Sequence, residues 1–217
     1  MKHAEIIERL RQLYSGVISD SLDKIGIRDS VMRHDIRPLY PEAVVVGSAF
    51  TVLTSNVYHF PKEPYKMEIE SIDKVQPGNV IVSTCDSSPL SSYWGELIAT
   101  CCKSKGALGA VIDGFTRDTK RLITMQFPTF VRGIHPADTL GRNEVIAYNV
   151  PIKCGGVIVR PGDIVFGDID GVAVIPKERV IEVLELAEAK TSKEDETRMA
   201  LENGEGLAQV FARIGVL

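Results

Sequence analysis

Several residue types that often act in catalysis or metal binding are scarce in this chain. Its 217 residues include four cysteines, four histidines and one tryptophan. The cysteines form no CxxC pair and no spacing typical of a zinc site; they are Cys85, Cys101, Cys102 and Cys154. Free cysteine is most often a buried apolar side chain, so we expect four free thiols in a reducing cytoplasm. The histidines show no pairing that would indicate a metal site.

The chain also lacks the sequence signals of several large functional classes. No apolar run reaches the ~18 residues that a membrane span needs. A formal net charge of −4 disfavours general binding to nucleic acid or to a membrane surface. No P-loop, GxGxxG dinucleotide motif or serine-nucleophile motif is present. The composition, 44% hydrophobic and 25% charged, is that of an ordinary globular protein, and one domain over residues 1–217 is expected.

Apolar residues at helical spacing predict helices near both ends of the chain. The first covers about residues 3–13, where interspersed charges argue against a signal peptide. A second, capped by Ser19 or Asp20, would bring the N-terminal helices to about 3–26. Residues 177–203 read as one long helix, and the apolar tail after it is expected to pack on this chain or a neighbour.

Between these helices, strand and helix patterns alternate. Strands are predicted at residues 43–53 (with a break at Gly47-Ser48), 80–83, 108–112, 128–132, 150–153, 157–159, 164–167 and 171–175. Helices are predicted at 67–74, 95–105 and 119–125, and the proline-containing segment 56–65, with His59, is expected to be a loop. The β-α-β-α-β order in the middle implies parallel strands and an α/β fold.

The most informative segment runs from Trp94 to Asp118. Gly95 opens a predicted helix, whose first turn offers free N–H groups and a positive dipole end to an anion. Arg117 adds a planar, permanently charged fork that fits a carboxylate. Asp118 can hold a magnesium-type ion directly or through water. Together these groups would bind and polarise a 2-oxo acid.

Each of these residues also has a common structural role. An aspartate before a helix, such as Asp118, is frequently an N-cap, and Arg117 alone would more often be a surface residue. Glu96 is an ordinary first-turn glutamate, although it partly cancels an anion-binding field unless a cation lies nearby. The position of the Arg-Asp pair favours a role in ligand binding. The pair follows a predicted Asp113-Gly114 turn at the end of a buried strand, where ligands of α/β sheets bind.

Several blocks of the sequence resemble the RraA-like family, which includes the 4-hydroxy-4-methyl-2-oxoglutarate aldolases and the regulator of ribonuclease E activity. The blocks lie at residues 19–26, 36–39, 46–52, 111–114 and 167–176. As in the aldolase members, an acidic residue, Glu96, is followed after twenty residues by Arg117-Asp118. Two positions depart from the family pattern: Glu96 replaces a shorter aspartate, and Arg121 stands where relatives are often acidic.

The resemblance implies a β/β/α swivelling-domain fold, a single compact domain with flanking helices that assembles as a homotrimer or homohexamer with sites at subunit boundaries. It implies that Arg117 and one stretch of backbone bind the substrate pyruvate unit; that stretch is Gly95, Glu96, Leu97 and Ile98. It also implies that Asp118 holds the metal, Mg²⁺ or Mn²⁺, mainly through waters. Glu194 or Glu196 from a neighbouring subunit would complete the site.

The sequence therefore predicts a metal-dependent lyase with Arg117, Asp118 and Glu96 as catalytic residues. It would be a class II-type pyruvate aldolase cleaving 4-hydroxy-4-methyl-2-oxoglutarate-like acids to pyruvate plus a 2-oxo acid. Oxaloacetate decarboxylation, which passes through the same enolate, is expected as a side activity. None of these predicted site residues is a lysine, which disfavours a Schiff base. Two alternatives stay open: a protein-binding inhibitor of ribonuclease E, and a related 2-oxo acid or sugar-acid lyase or decarboxylase.

Overall fold

A computed structural model describes residues 2–85 and 91–216. Its α-helices are α1 (His3–Leu10), α2 (Ser15–Lys24), α3 (Lys66–Asp73), α4 (Glu96–Ser104), α5 (Thr119–Thr124), α6 (Val180–Glu202) and α7 (Leu207–Ile214). Its strands are β1 (Arg37–Pro38), β2 (Val45–Asn56), β3 (Asn79–Thr84), β4 (Ser92–Trp94), β5 (Gly109–Thr116), β6 (Thr129–Ile134), β7 (Asn143–Tyr148), β8 (Ile152–Cys154), β9 (Val157–Val159), β10 (Ile164–Asp168) and β11 (Gly171–Ile175). A 3₁₀ turn, Lys177–Arg179, precedes α6. The predicted tail ends at Leu217, which lies outside the described residues.

One mixed sheet organises the molecule. Its strand order is β1-β6-β5-β3-β2-β10-β11, with β4 paired to β5 and β7 paired to β2. Strands β2, β3, β5 and β6 run parallel, and β4 joins β5 in the same direction. The carboxyl ends of these strands therefore meet at one edge, where α/β sheets bind ligands. The predicted α/β class and parallel central strands are confirmed.

The start of α2 differs from its prediction. The helix begins at Ser15, earlier than caps at Ser19 or Asp20 would place it. The carboxylate of Asp168, distant in sequence, accepts hydrogen bonds of 2.7 Å from both the backbone N–H and the hydroxyl of Ser15. A carboxylate at a helix N-terminus satisfies unpaired N–H groups and complements the dipole. A tertiary contact therefore sets this boundary, and local cap residues do not.

Several strands also differ from their predictions, and the short strands β1 and β4 were not predicted. The predicted break at Gly47-Ser48 is wrong, because β2 runs unbroken through it. A Cβ at Gly47 would lie 2.7 Å from the carbonyl oxygen of Gly78, so this glycine permits a close approach between β2 and the turn before β3. Strand β7 was missed, since only its first and third residues are buried and its sequence gives a weak alternation.

Replacing Asp168 with alanine is expected to destabilise the fold by about 3 kcal/mol. The substitution removes a 9%-exposed carboxylate that accepts bonds from Ser15 and from the N–H of Asp170, and it leaves those donors without their partner. Chemical denaturation at constant m-value measures the effect. Asp170→Ala, which removes an exposed side chain from the same turn, is the control and should change stability by less than about 0.5 kcal/mol. Equal effects would contradict the assigned role.

The structure also bears on the predictions for the cysteines and for membrane spans. The described cysteines are all free, as predicted, and Cys85, Cys102 and Cys154 are buried. Burial raises the pKa of the Cys85 and Cys102 thiols to about 12, which makes them unreactive at neutral pH. None of the helices in the described part of the chain is long and apolar enough to cross a membrane.

Candidate active site

The pairing of β4 with β5 brings the two halves of the predicted motif together. The N–H of Arg117 donates to the carbonyl of Trp94 at 3.0 Å, and the buried Thr116 hydroxyl donates to the same carbonyl at 2.9 Å. Gly95, which follows Trp94, is therefore fixed beside Arg117 and Asp118. It is also the residue before α4, so the helix starts at this point as predicted.

The turn predicted just before the Arg-Asp pair is wrong. Asp113 and Gly114 do not form a turn, because β5 continues through them to Thr116. The Asp113 carboxylate is buried and accepts bonds from Arg33 Nη2 at 2.6 Å and from the N–H of Gly155 at 2.9 Å. It holds the β8–β9 hairpin against the sheet. The strand ends at Thr116, and Arg117 leaves that end directly.

Asp118 does not act as the expected cap of α5. It occupies the position before the helix with a left-handed backbone (φ 58°), but its side chain makes no cap hydrogen bond there. Its Oδ2 instead accepts a 3.3 Å hydrogen bond from the N–H of Glu96, at the start of α4. The carboxylate thus points toward Gly95 and the neighbouring helix, and its other acceptor positions have no partner among the described residues.

The absence of a side chain at Gly95 permits this arrangement. A Cβ there would lie 3.1 Å from Asp118 Oδ2 and 3.4 Å from Arg117 Cγ, closer than most real Cβ contacts. The backbone at Gly95 is extended (φ −156°), so space and not conformation requires glycine. The residue predicted to let a ligand approach the backbone also lets two charged side chains approach it.

Replacing Gly95 with alanine is expected to lower kcat/KM for the reaction proposed below about tenfold with little change in melting temperature. The new methyl group would displace the Asp118 carboxylate by a few tenths of an ångström, and catalysis is sensitive to such shifts. Gly16→Ala is the control, because its Cβ would make ordinary contacts of 3.5 Å with the Tyr14 ring. A fully active Gly95→Ala enzyme would show that the close approach is unimportant.

Gly95, Arg117 and Asp118 line a cavity of about 320 Å³, here named the arginine cavity. Five of the predicted site residues line it: Gly95, Leu97, Ile98, Arg117 and Asp118. Glu96 is not among its lining residues. The Glu96 carboxylate accepts a 3.1 Å bond from the Thr100 hydroxyl and lies 3.9 Å from Arg121 Nη1. The two positions that depart from the family pattern therefore face each other across α4 and α5.

Five polar residues that the sequence did not indicate also line the cavity: Tyr65, Glu68, Tyr93, Asp138 and Thr139. Asp138 Oδ1 lies 3.1 Å from Arg117 Nη2, and Asp138 Oδ2 accepts a hydrogen bond from the Tyr65 hydroxyl. Asp138 follows β6, the parallel strand beside β5, so the strand-end rule could have found it. Tyr65 and Glu68 lie before and within α3, where no sequence signal connects them to Arg117.

In the Tyr65–Asp138–Arg117 network, the pKa shifts keep Asp138 ionised and Tyr65 protonated at neutral pH. Partial burial would raise the pKa of Asp138, but the bond from Tyr65, backbone N–H groups and the charge of Arg117 outweigh burial and hold that pKa below its usual range. The bond to Asp138 raises the pKa of Tyr65 to about 12. At neutral pH an ionised carboxylate therefore orients Arg117, whose side chain is 41% exposed and lines the cavity.

The pKa of Glu68 is shifted in the opposite direction from that of Asp138. Burial is the main cause that raises its pKa to about 7, the charge of Asp138 adds to this effect, and Arg117 opposes it. No described residue donates a hydrogen bond to its carboxylate. A carboxyl group that titrates near neutrality beside an arginine is suited to accept and return a proton.

The donor set fits a divalent cation only as an open, water-rich site. No group of three or more His, Cys, Asp or Glu side chains within residues 2–85 and 91–216 could hold a metal ion. Asp118 nevertheless has a carboxylate with one long hydrogen bond, and magnesium is commonly held by one or two carboxylates, substrate oxygens and waters. Asp118 is therefore the residue that could hold such an ion.

Three other residues singled out from the sequence lie away from the arginine cavity. Glu194 pairs with Lys190 at 3.4 Å on α6, and neither it nor Glu196 lines the cavity of this chain. A contribution of either from a neighbouring subunit stays a prediction. His59 is exposed, with its Nε2 4.0 Å from Glu144 Oε1.

Comparison with known proteins links the chain to one family. The RraA-like family, described as Aldolase/RraA, matches residues 15–174. A Halalkalibacterium halodurans protein provisionally named 4-hydroxy-4-methyl-2-oxoglutarate aldolase is 34% identical over 91% of this chain and 90% of its own length. A solved structure, that of Streptomyces coelicolor RraAS2, is described as an unusual member of the RNase ES inhibitor RraA protein family and is 28% identical in sequence to this chain. The structural match covers 90% of this chain and 97% of the RraAS2 chain, with a TM-score of 0.81.

Another relative is a longer protein. Protein DlpA of Legionella pneumophila is 30% identical over 94% of this chain, yet the match spans 33% of the DlpA sequence. The chain thus corresponds to about a third of that relative. The domain described above is the part that the two proteins share.

Proposed function

The chain belongs to the RraA-like family, and we propose that it is a divalent-metal-dependent pyruvate aldolase. It would cleave 4-hydroxy-2-oxo acids, of which 4-hydroxy-4-methyl-2-oxoglutarate is the reference compound, to pyruvate and a second carbonyl product. Oxaloacetate decarboxylation would be a side activity. The observation that carries the proposal is the meeting, in one cavity, of Arg117, Asp118 and the start of α4.

The start of α4 and Arg117 would bind the 2-oxo acid. The N–H of Glu96 already donates to the Asp118 carboxylate. The next N–H groups of the first turn, those of Leu97 and Ile98, have no partner within the helix. They can donate to the substrate carboxylate with the help of the helix dipole. Arg117, held by Asp138, would donate to the keto oxygen.

Carbon–carbon cleavage places negative charge on that keto oxygen. A Mg²⁺ or Mn²⁺ ion at Asp118 would supply Lewis-acid polarisation of the 2-oxo acid when bound. Arg117 stabilises the developing enolate, and because Asp138 and Tyr65 already hold its guanidinium in place, little reorganisation is needed as charge appears. Asp138 and Tyr65 are therefore positioning residues.

Glu68 would move the protons of the reaction. Its ionised form takes the proton of the C4 hydroxyl as the C3–C4 bond breaks, which turns C4 into a carbonyl carbon. Its protonated form then returns a proton to C3 of the enolate to give pyruvate. A pKa of about 7 makes both forms available at neutral pH.

A second candidate function is a protein-binding regulator of ribonuclease E type. It is supported by the similarity to Streptomyces coelicolor RraAS2, a member of an RNase ES inhibitor family, and a fold alone does not separate binding from catalysis. The aldolase is favoured because a binding surface has no use for an arginine oriented inside a cavity beside a carboxyl that titrates near pH 7.

Exchange of the pyruvate methyl protons in D₂O, followed by proton NMR, tests the proposed site without knowledge of the natural substrate. Enolisation of bound pyruvate should exchange these protons when Mg²⁺ is present, and chelation should stop the exchange. Arg117→Ala should exchange no faster than buffer. If the folded wild-type protein with Mg²⁺ fails to accelerate exchange, the aldolase proposal is wrong and the regulator becomes the better explanation.

A further inference from the structure

A second cavity adjoins the arginine cavity. It has a volume of about 310 Å³, and Tyr65 and Glu68 line both cavities. Its remaining walls come from the loop before α3, from α3 itself, and from the start of β7 with the turn before it. We name it the Asn143 cavity. A substrate held at Arg117 that is longer than pyruvate would reach it by passing Tyr65 and Glu68.

Asn143, which lines this cavity, has an unusual side chain. The residue is 4% exposed, yet neither the oxygen nor the nitrogen of its amide has a hydrogen-bond partner among the described residues. Buried amides without partners are rare in native proteins and call for a specific explanation. Its cross-strand neighbour Asn56 has an unpaired oxygen, but a bond between the two amides would leave Asn143 Oδ1 unsatisfied. Glu144, which also lines the cavity, has a buried Oε1 that accepts no hydrogen bond, although His59 Nε2 lies 4.0 Å from it.

The chemistry of the lining selects a neutral, hydroxylated occupant. Three glutamates and two lysines line the cavity, and one of those lysines, Lys66, is already paired with Glu63 at 2.7 Å. A second substrate carboxylate could pair with Lys62, the other lining lysine, but it would also face Glu68 and Glu144 and would offer no proton to the unpaired acceptors. A hydroxyl group can both donate to an oxygen and accept from the Asn143 amide nitrogen, so it matches the unpaired atoms.

We infer that the Asn143 cavity binds the polyhydroxylated tail of a sugar-derived 4-hydroxy-2-oxo acid, with Asn143 hydrogen-bonded to a tail hydroxyl. This inference rests on the proposed function and narrows its substrate class. In 4,5,6-trihydroxy-2-oxohexanoate, the C3–C4 bond breaks, the C4 hydroxyl loses its proton, and C3 gains one. The products are pyruvate and glyceraldehyde, and no other reactant is needed.

The test compares three substrates with Mg²⁺ in the same coupled assay for pyruvate. The wild-type protein should cleave 4,5,6-trihydroxy-2-oxohexanoate with a higher kcat/KM than the dicarboxylate 4-hydroxy-4-methyl-2-oxoglutarate. Asn143→Ala should raise KM for the trihydroxy acid about tenfold, since one hydrogen bond to the substrate is lost. Oxaloacetate, which has no tail hydroxyl to bond to Asn143, should keep its KM within about twofold.

A second variant protects the test against misfolding of Asn143→Ala. Met67 lines the same cavity from α3 and is partly exposed, so Met67→Trp fills the cavity without disturbing the core. It should show the same selective loss for the trihydroxy acid. Met199→Trp, at an exposed position on α6, is the matched control and should leave all three substrates unchanged.

The outcomes separate this inference from the proposed function. Preference for the dicarboxylate, or equal effects of Asn143→Ala on all substrates, would overturn the inference while leaving an aldolase. Absence of both pyruvate exchange and oxaloacetate turnover would reject the aldolase itself. In that case calorimetric binding of 4,5,6-trihydroxy-2-oxohexanoate decides: about tenfold weaker binding to Asn143→Ala supports the Asn143 cavity, and unchanged or absent binding overturns it.

Discussion

Arg117→Ala is expected to lower kcat/KM for pyruvate release by about 10³-fold while the fold and its melting temperature persist. The loss follows from the position of the guanidinium, which Asp138 holds at 3.1 Å in the cavity where an enolate oxygen would form. Its side chain is 41% exposed, so removing it leaves no large void in the core. Steady-state kinetics with oxaloacetate and with 4-hydroxy-4-methyl-2-oxoglutarate measures the effect.

Arg121→Ala provides the matched control for Arg117. Arg121 lies only four residues further along the chain, but its side chain is 75% exposed and its nearest carboxylate, Glu96, is 3.9 Å away. We expect less than a threefold change in kcat/KM. Arg117→Lys should recover little activity, because an ammonium group cannot reproduce the planar fork. Wild-type rates in Arg117→Ala would remove the proposed role of this residue.

Glu68→Gln is expected to abolish a pH dependence that centres on about pH 7. Burial raises the pKa of Glu68 to about 7, so the base form is scarce below that pH and predominant above it. The kcat/KM for aldol cleavage should therefore rise about tenfold per pH unit below pH 7 and level off above it. Glutamine cannot ionise, so the variant should lose this limb, and its plateau should fall about 10²-fold.

Two comparisons make the pH experiment specific. Oxaloacetate decarboxylation removes no hydroxyl proton, so its kcat/KM should lack the rising limb even in the wild-type protein. Glu70→Gln is the control variant, because Glu70 lies on the same helix but is exposed and accepts a bond from the Tyr148 hydroxyl. If Glu68→Gln keeps the wild-type pH profile, another group carries the proton.

The sequence was most informative where chain order and position in space coincide. The alternation of strands and helices predicted parallel strands, and the rule that ligands bind at their carboxyl ends led to Arg117 and Asp118. The turn predicted just before that pair was wrong, since Asp113 and Gly114 lie inside β5. The Arg-Asp pair nevertheless leaves the same strand three residues later. Strand patterns fix which edge carries the site more reliably than they fix the residue at which a strand ends.

Contacts between distant segments explain what the sequence could not predict. Asp118 looked like a helix cap, but pairing of β4 with β5 turns its carboxylate toward the start of α4. Glu68 acquires its high pKa from burial beneath neighbouring elements, which no local pattern reports. Arg121 and Glu96 look like separate departures from a family pattern until α4 and α5 place them 3.9 Å apart. Each effect needs the assembled fold.

In the proposed mechanism, Asp118 and a divalent cation make this cavity a pyruvate-enolate site. The most direct measurement is pyruvate release from 4-hydroxy-4-methyl-2-oxoglutarate and oxaloacetate, coupled to lactate dehydrogenase, with Mg²⁺, with chelator, and with Asp118→Asn. We predict release that requires Mg²⁺, disappears with chelator, and falls at least about 10²-fold in the folded variant. Release that persists unchanged in chelator and in Asp118→Asn would show that neither the metal ion nor the Asp118 carboxylate is needed, which contradicts the proposed mechanism.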